Sequence, residues 1–173
     1  MRAAALSPAE IAVLLPATVA QLGAELAALP ERVLAWHPAP GEWCVKDVLG
    51  HLIEAERRGF AGRIRIMLGA DTPALERWDP PAVAAARGDC AKPASALLEE
   101  LAALREDSAT LVGRLLAADL ERDGHHPTVG RLRVRDLLQE WVHHDRNHVR
   151  QALANVQAYV WPAMGNAQKF AGE

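Results

Sequence analysis

An all-α, four-helix bundle with long inter-helix connections is the fold class this sequence predicts, on three observations. Four long segments carry apolar residues at helical spacing, no segment alternates convincingly as a strand, and no repeat of fixed period is present. The 173 residues, 50% hydrophobic and 24% charged, are enough for one such unit. Residues 1–173 are therefore read as a single domain with its core over about 7–160.

The first helix opens at Ser7-Pro8-Ala9-Glu10, which supplies a capping hydroxyl, a proline at the first helical position and a carboxylate three residues after the cap. Leu14, Val19, Leu22, Leu26 and Leu29 carry it to Pro30, with Pro16 expected to kink or restart it. Trp36 to Gly41 holds three turn-formers and reads as a loop. Helix two runs from Val45 to about Leu68 on Val48, Leu49, Leu52, Ala55, Phe60, Ile64 and Met67, with no proline to interrupt it.

Residues 69–93 contain Gly69, Pro73, Pro80, Pro81, Gly88 and Pro93 and read as a long connection with a short alanine-rich turn around Val83. Connections of that length often cover a site. Helix three spans Ser95 to Leu116 on Leu97, Leu98, Leu101, Leu104, Leu111, Val112 and Leu115, and Gly124 to Gly130 forms a connector. Helix four runs from about Val134 to Val160 and is ended by Pro162. Two long connections permit a topology other than up-down-up-down.

A formal charge of -3, from 19 Lys+Arg against 22 Asp+Glu, gives no electrostatic reason to expect nucleic acid or an anionic membrane as partner. The short basic clusters, Arg57-Arg58 and Arg131 to Arg135, read as solvated helix faces. The apolar runs are judged too short for the roughly 20 residues of a spanning helix, and the N-terminus lacks a secretory signal pattern, so a cytoplasmic location is expected. Cys44 and Cys90 lie in different segments without CxxC spacing and suggest neither a disulfide framework nor a cysteine zinc site. The five tryptophans are packing anchors first and pocket residues second.

In helix four the buried stripe passes through Leu137, Leu138, Trp141, His144, Asp145, His148 and Ala152, so two histidines stand on a face that is otherwise apolar. Side chains four residues apart share a helix face with Cβ atoms about 5–6 Å apart, and two imidazoles so placed can converge on one ion. His51 lies three residues past Val48, on or beside the buried stripe of helix two. Either element alone has a bland explanation, a hydrogen-bonded core histidine or an exposed pair. Together, one inward histidine and an inward pair on another helix are what a bundle needs for a three-nitrogen metal site.

His143 points about 100° away from His144 and is read as a surface residue or one supporting the ligands from behind, not as a ligand, and His125-His126 precede Pro127 in a connector and are not expected to ligate. Asp145 and Gln151 are candidates to orient an imidazole, against simple hydrogen bonding to a neighbouring helix or loop. Glu54, near the face of His51, is the better of two glutamates for a carboxylate behind the ligands, the other being Glu56.

Gly41-Glu42-Trp43-Cys44-Val45-Lys46-Asp47-Val48-Leu49-Gly50-His51-Leu52 resembles the proline/glycine-Trp-Ser-hydrophobic-x-x-hydrophobic-x-x-His-Leu stretch of DinB-like (DinB/YfiT) proteins. The segment Leu132 to Gln151 is similar to that family's C-terminal helix, with its His-x-x-x-His-x-x-Gln signature at His144, His148 and Gln151. The resemblance covers roughly residues 7–160. It implies a four-helix bundle holding a divalent ion (nickel, zinc, iron or manganese) through His51, His144 and His148. Cys44 departs from the family's usual serine at the cap of helix two; it reads as a buried, inert residue or as an accessory to the site.

Three nitrogen ligands leave open positions on an ion, as in catalytic rather than structural sites. Some DinB-like proteins are bacillithiol-dependent S-transferases or mycothiol-dependent isomerases, so the resemblance implies a metal-dependent transferase that activates a low-molecular-weight thiol for attack on a small-molecule electrophile. The alternatives are a metal-dependent hydrolase, with Glu54 or Asp145 as the base, and a non-catalytic metal- or ligand-binding stress protein. A homodimer is the expected assembly.

Overall fold

The computed structural model describes residues 4–172. Helix α1 spans Pro8–Leu26, and its predicted cap is formed reciprocally. The Glu10 amide donates to Ser7 Oγ at 3.3 Å and the Ser7 amide donates to the Glu10 carboxylate at 2.7 Å. The helix runs unbroken through Pro16, which lies on its exposed side, and it stops three residues before Leu29. A single short helix, α2 (Glu31–Leu34), follows. Contrary to the sequence expectation, α1 is long and apolar enough, at a mean hydropathy of 1.3, to cross a membrane. In this fold its stripe Ile11, Leu15, Thr18, Leu22 and Leu26 is buried within the bundle.

The predicted second helix is broken in two. Helix α3 (Val45–Glu54) passes into a π-helical turn, Ala55–Gly59, and a kink at Phe60 precedes α4 (Ala61–Gly69). The Phe60 amide donates to the Ala55 carbonyl five residues back at 2.8 Å. Burial runs without a break from Val48 through the regular helix to Glu56 in the wider turn, so this segment is enclosed on all sides. The turn also presses the Arg57 carbonyl onto Gly62, where any Cβ would collide with it. Apolar spacing alone does not reveal an extra residue in a turn.

The long connection contains a capped helix, α5 (Pro80–Arg87), where only a turn was expected. Asp79 accepts the Ala82 amide at 3.2 Å, and Gly88 closes the helix at φ 59. Helix α6 spans Ala94–Gly113. The expected connector is instead an antiparallel hairpin, β1 (Asp123–His126) with β2 (Gly130–Arg133), paired from Asp123↔Arg133 to His126↔Gly130. Strands of four residues are too short to display alternation. The hairpin also tethers the long connection, because the His125 amide donates to Pro73 and His125 accepts from Leu75, both at 2.8 Å. Helix α7 covers Val134–Val160, and 3₁₀ turns continue over Trp161–Gly172.

Around the bundle, α1 packs chiefly on α6, α6 on α3, α3 on α7, and α7 back on α1. The consecutive long helices α1 and α3 therefore stand on a diagonal, unlike an up-down-up-down bundle. Two apolar clusters fill the interior. One includes Ile11, Leu15, Ile64, Met67, Val112, Leu137 and Trp141; the other includes Leu22, Leu26, Val48, Leu52, Leu97, Leu101 and Val149. Along α1, α6 and α7 the residues between the clusters are the buried polar groups Thr18, Arg105, Ser108 and Asp145. The histidines belong to this middle level.

Candidate metal centre

Helix α3 supplies His51 and helix α7 supplies His144 and His148, and the fold brings one ring nitrogen of each within 4.8 Å of the others. Nε2 of His51 lies 3.0 Å from Nε2 of His144. The ring centroids of His148 are 4.4 Å from both other imidazoles. Cys44 caps the helix that carries His51: its Sγ accepts the Asp47 amide at 3.4 Å, while Asp47 accepts the Cys44 amide at 3.2 Å. The sulfur thus does the work of a capping hydroxyl.

The donor set fits a divalent ion. Burial and the two neighbouring imidazoles push His51 down to about 3, and burial followed by His144 lowers His148, so these rings are neutral and present lone pairs at ordinary pH. His148 Nδ1 is paired with Gln151 Oε1 at 2.8 Å, which leaves its Nε2 for an ion. Two nitrogens bound to one ion at about 2.0–2.1 Å each must lie within about 4 Å of each other, as Nε2 of His51 and His144 do. The buried Nδ1 atoms of these two rings have no hydrogen-bond partner among the described residues.

Aromatic rings wall the site. Trp78 stacks on His51 at 5.5 Å and Trp43 lies 4.9 Å from the same ring, while Phe60 meets His144 edge-on at 5.0 Å. The three histidines line a cleft of about 410 Å³ together with Trp43, Phe60, Arg63, Trp78 and Glu140. Two of the five tryptophans are thus site residues, whereas Trp141 is buried against Phe60.

The two carboxylates expected near the ion do not line this cleft. Glu54 is buried and held by Arg58 at 2.6 Å, Arg87 at 2.7 Å and Arg57 at 3.2 Å. Burial raises its carboxyl, but the three arginines outweigh that and hold it low, and they occupy both of its oxygens. Asp145 is gripped through both oxygens by Arg105 at 2.7 and 2.8 Å, and its Oδ1 is 3.9 Å from His144 Nδ1. Its position suits it to orient α7, not to take a proton. His143 is exposed and bonded to Asn147, and His126 accepts the Thr128 amide in the hairpin.

The carboxylate that does line the cleft, Glu140, was missed. Desolvation by the cleft walls raises its carboxyl above the ordinary range, against the pull of His144, Arg63 and His143. A signal was present: Glu140 precedes His144 by four residues and His148 by eight, so the three share one face of α7. Arg63 joins it in the cleft. Its Nε is buried without a partner among the described residues, and one terminal nitrogen donates to the Glu76 carbonyl at 3.1 Å.

Cys44 and Cys90 form a disulfide, contrary to the sequence expectation. The long connection folds back so that Cys90, in the 3₁₀ turn Asp89–Ala91, meets the N-terminus of α3. Gly50 permits this approach, because a Cβ there would strike the Asp89 carboxylate. No spacing motif announces a pair 46 residues apart.

The fold and the site together define a helical bundle with a three-histidine cleft in its middle layer. The chain belongs to the DinB superfamily, whose family model matches residues 7–152. Its structure is similar to that of YfiT from Bacillus subtilis, described as a probable metal-dependent hydrolase with an unusual four-helix bundle topology. The TM-score is 0.82 at 20% sequence identity, over 93% of this chain and 94% of that one. No curated protein matches the chain.

Proposed function

We propose that this chain is a metal-dependent hydrolase in which Glu140 acts as general base beside an ion held by His51, His144 and His148. The observation that carries the reading is the shared cleft: Glu140 is the carboxylate lining it with all three histidines, while Glu54 and Asp145 are locked in ion pairs. A divalent ion bound there supplies Lewis acidity to a substrate oxygen and to water. Glu140 accepts the proton that water gives up as it attacks. Arg63, with an unpartnered Nε, offers a donor to an anionic or carbonyl group of the substrate. Trp43 and Trp78 supply apolar walls beside His51 on which the substrate can pack. The description of YfiT as a probable metal-dependent hydrolase agrees with this reading.

The test is a screen of esters, amides and phosphoesters with metal-reconstituted protein. Glu140→Gln should lower turnover by about 10²–10⁴-fold and leave metal stoichiometry unchanged. Unaltered turnover in that variant would remove Glu140 from the mechanism.

A second reading, thiol S-transfer, rests on Arg57, Arg58 and Arg63 lining an adjoining cleft of about 310 Å³ that also includes Trp78. Arg57 and Arg58 are shared with Glu54, so Arg63 is the cation this wall offers to an anionic low-molecular-weight thiol such as bacillithiol or mycothiol. The same variant separates the two, because a thiol acidified by the ion needs no carboxylate base. Thiol-dependent turnover that survives Glu140→Gln would favour transfer.

A further inference from the structure

A second cluster of donors lies outside the histidine cleft. His37, Cys44, Asp47 and Cys90 bring one ligand-type atom each within 4.8 Å of one another. Cys90 Sγ is 3.2 Å from Asp47 Oδ2 and 3.4 Å from His37 Nε2. A disulfide sulfur has no proton to donate, so this Asp47 oxygen takes its hydrogen bond from the Cys44 amide and none from the sulfur it faces. The imidazole adds to the mismatch. His37 Nδ1 lies 2.7 Å from the Glu42 carbonyl and donates to it, which leaves Nε2 as a lone pair aimed at the sulfur. Sulfur, nitrogen and carboxylate oxygen thus converge with no proton between them.

We propose that, once the Cys44–Cys90 bond is reduced, these two sulfurs join His37 and Asp47 in a second metal site, separate from the three histidines and suited to a zinc-class ion. A dithiol supplies the two electrons and two protons that open the bond and itself becomes a disulfide. Metal binding then displaces both thiol protons. Two thiolates, one imidazole and one carboxylate form a four-donor set of the kind zinc takes in tetrahedral sites. The remaining contacts support the ligands as they do in such sites: His37 is fixed through its other nitrogen by a backbone carbonyl, and the Asp47 amide donates to Cys44 Sγ. The position of Cys44 at the start of α3 favours its thiolate. Entry is open, because a cleft of about 360 Å³ is lined by His37, Asp47 and Cys90. Trp43 lines this cleft and the histidine cleft alike.

The proposal is tested on the full chain by cobalt(II) titration, oxidised and then reduced with dithiol under anaerobic conditions. Reduction should add one metal equivalent, accompanied by sulfur-to-cobalt charge-transfer absorption that nitrogen ligands do not give. Cys90→Ser and the surface change His37→Ala should each abolish the added equivalent. His51→Ala should retain both it and the charge-transfer band, which separates this site from the histidine cleft. A reduced chain with two titratable thiols that binds no more cobalt than the oxidised chain, and shows no charge transfer, would overturn it. So would an added equivalent that persists in both Cys90→Ser and His37→Ala.

Discussion

Arg105 on α6 holds both carboxylate oxygens of Asp145 on α7, at 2.7 and 2.8 Å, across the interior of the bundle. The third side of the guanidinium, Nε, pairs with Glu56 of the π-turn, and Trp141 lies with its ring centroid 5.5 Å away. One cation thus ties α6 to α7 and to the π-turn, and the last two line the histidine cleft. Asp145 directly follows His144, so the grip also fixes the rotation of α7 that turns His144 and His148 toward His51.

Removing that cation leaves two buried carboxylates without their partner. Arg105→Met should cost about 3–5 kcal/mol of unfolding free energy, the usual penalty for breaking a buried pair from one side. Urea unfolding of the metal-free protein measures it. A loss below about 1 kcal/mol, the worth of an exposed pair, would show that the cluster is solvated.

The same cluster predicts a pH dependence. Burial raises the Glu56 carboxyl to about 7, and the nearby Arg105 only partly opposes this because Asp145 shares the cation. Ser108 donates to Glu56 at 3.0 Å. The unfolded carboxyl has the ordinary value of 4.5, so between there and about 7 the folded chain binds more protons than the unfolded one. Stability attributable to Glu56 is full below about pH 4.5 and is lost as pH rises to about 7, by on the order of 3 kcal/mol across the window. Glu56→Gln keeps the shape and cannot ionise. The difference in unfolding free energy between variant and parent should therefore grow in favour of the variant from pH 5 to pH 7; a constant difference would assign Glu56 an ordinary titration.

Metal affinity should depend on Gln151, which touches the site only through His148 Nδ1 at 2.8 Å. Gln151→Leu frees that ring to rotate and should weaken binding by about 10–100-fold at unchanged stoichiometry, read by competition with a chromogenic chelator. Loss of stoichiometry would mean that Gln151 is itself a ligand.

How much of this was legible in the sequence follows from what each signal depends on. Helix α7 was read to the residue because a stripe from Val134 onward and Pro162 beyond its end are local features. His51, His144 and His148 were found because polar residues stood on faces whose period called for apolar ones. Glu140 escaped for the opposite reason: a glutamate on a helix is an unremarkable residue until Arg63 and Trp78 arrive from elsewhere in the chain to form a cleft around its carboxylate. Glu54 was chosen by its spacing from His51, but the π-turn and Arg87, 33 residues away, decide its surroundings. The Cys44–Cys90 pair likewise depends on the path of the long connection, which no local pattern encodes.

The π-turn gives a last prediction, in which two glycines on the same helix should respond oppositely. Gly62 opens α4 against the Arg57 carbonyl, and an added Cβ would collide with backbone that the turn holds in place. Gly69, at the other end of α4, has nothing within 4 Å of an added Cβ and no positive φ. Gly62→Ala should therefore destabilise by about 1–3 kcal/mol, as overpacking does. Gly69→Ala should be neutral or should stabilise by up to about 1 kcal/mol through helix propensity alone. Because Arg63 adjoins Gly62 and lines the histidine cleft, Gly62→Ala should also depress turnover with the best substrate of the hydrolase screen, and Gly69→Ala should not. Denaturant unfolding and initial rates on the two variants check this directly, and equal effects at the two positions would mean that the π-turn yields to the added methyl group.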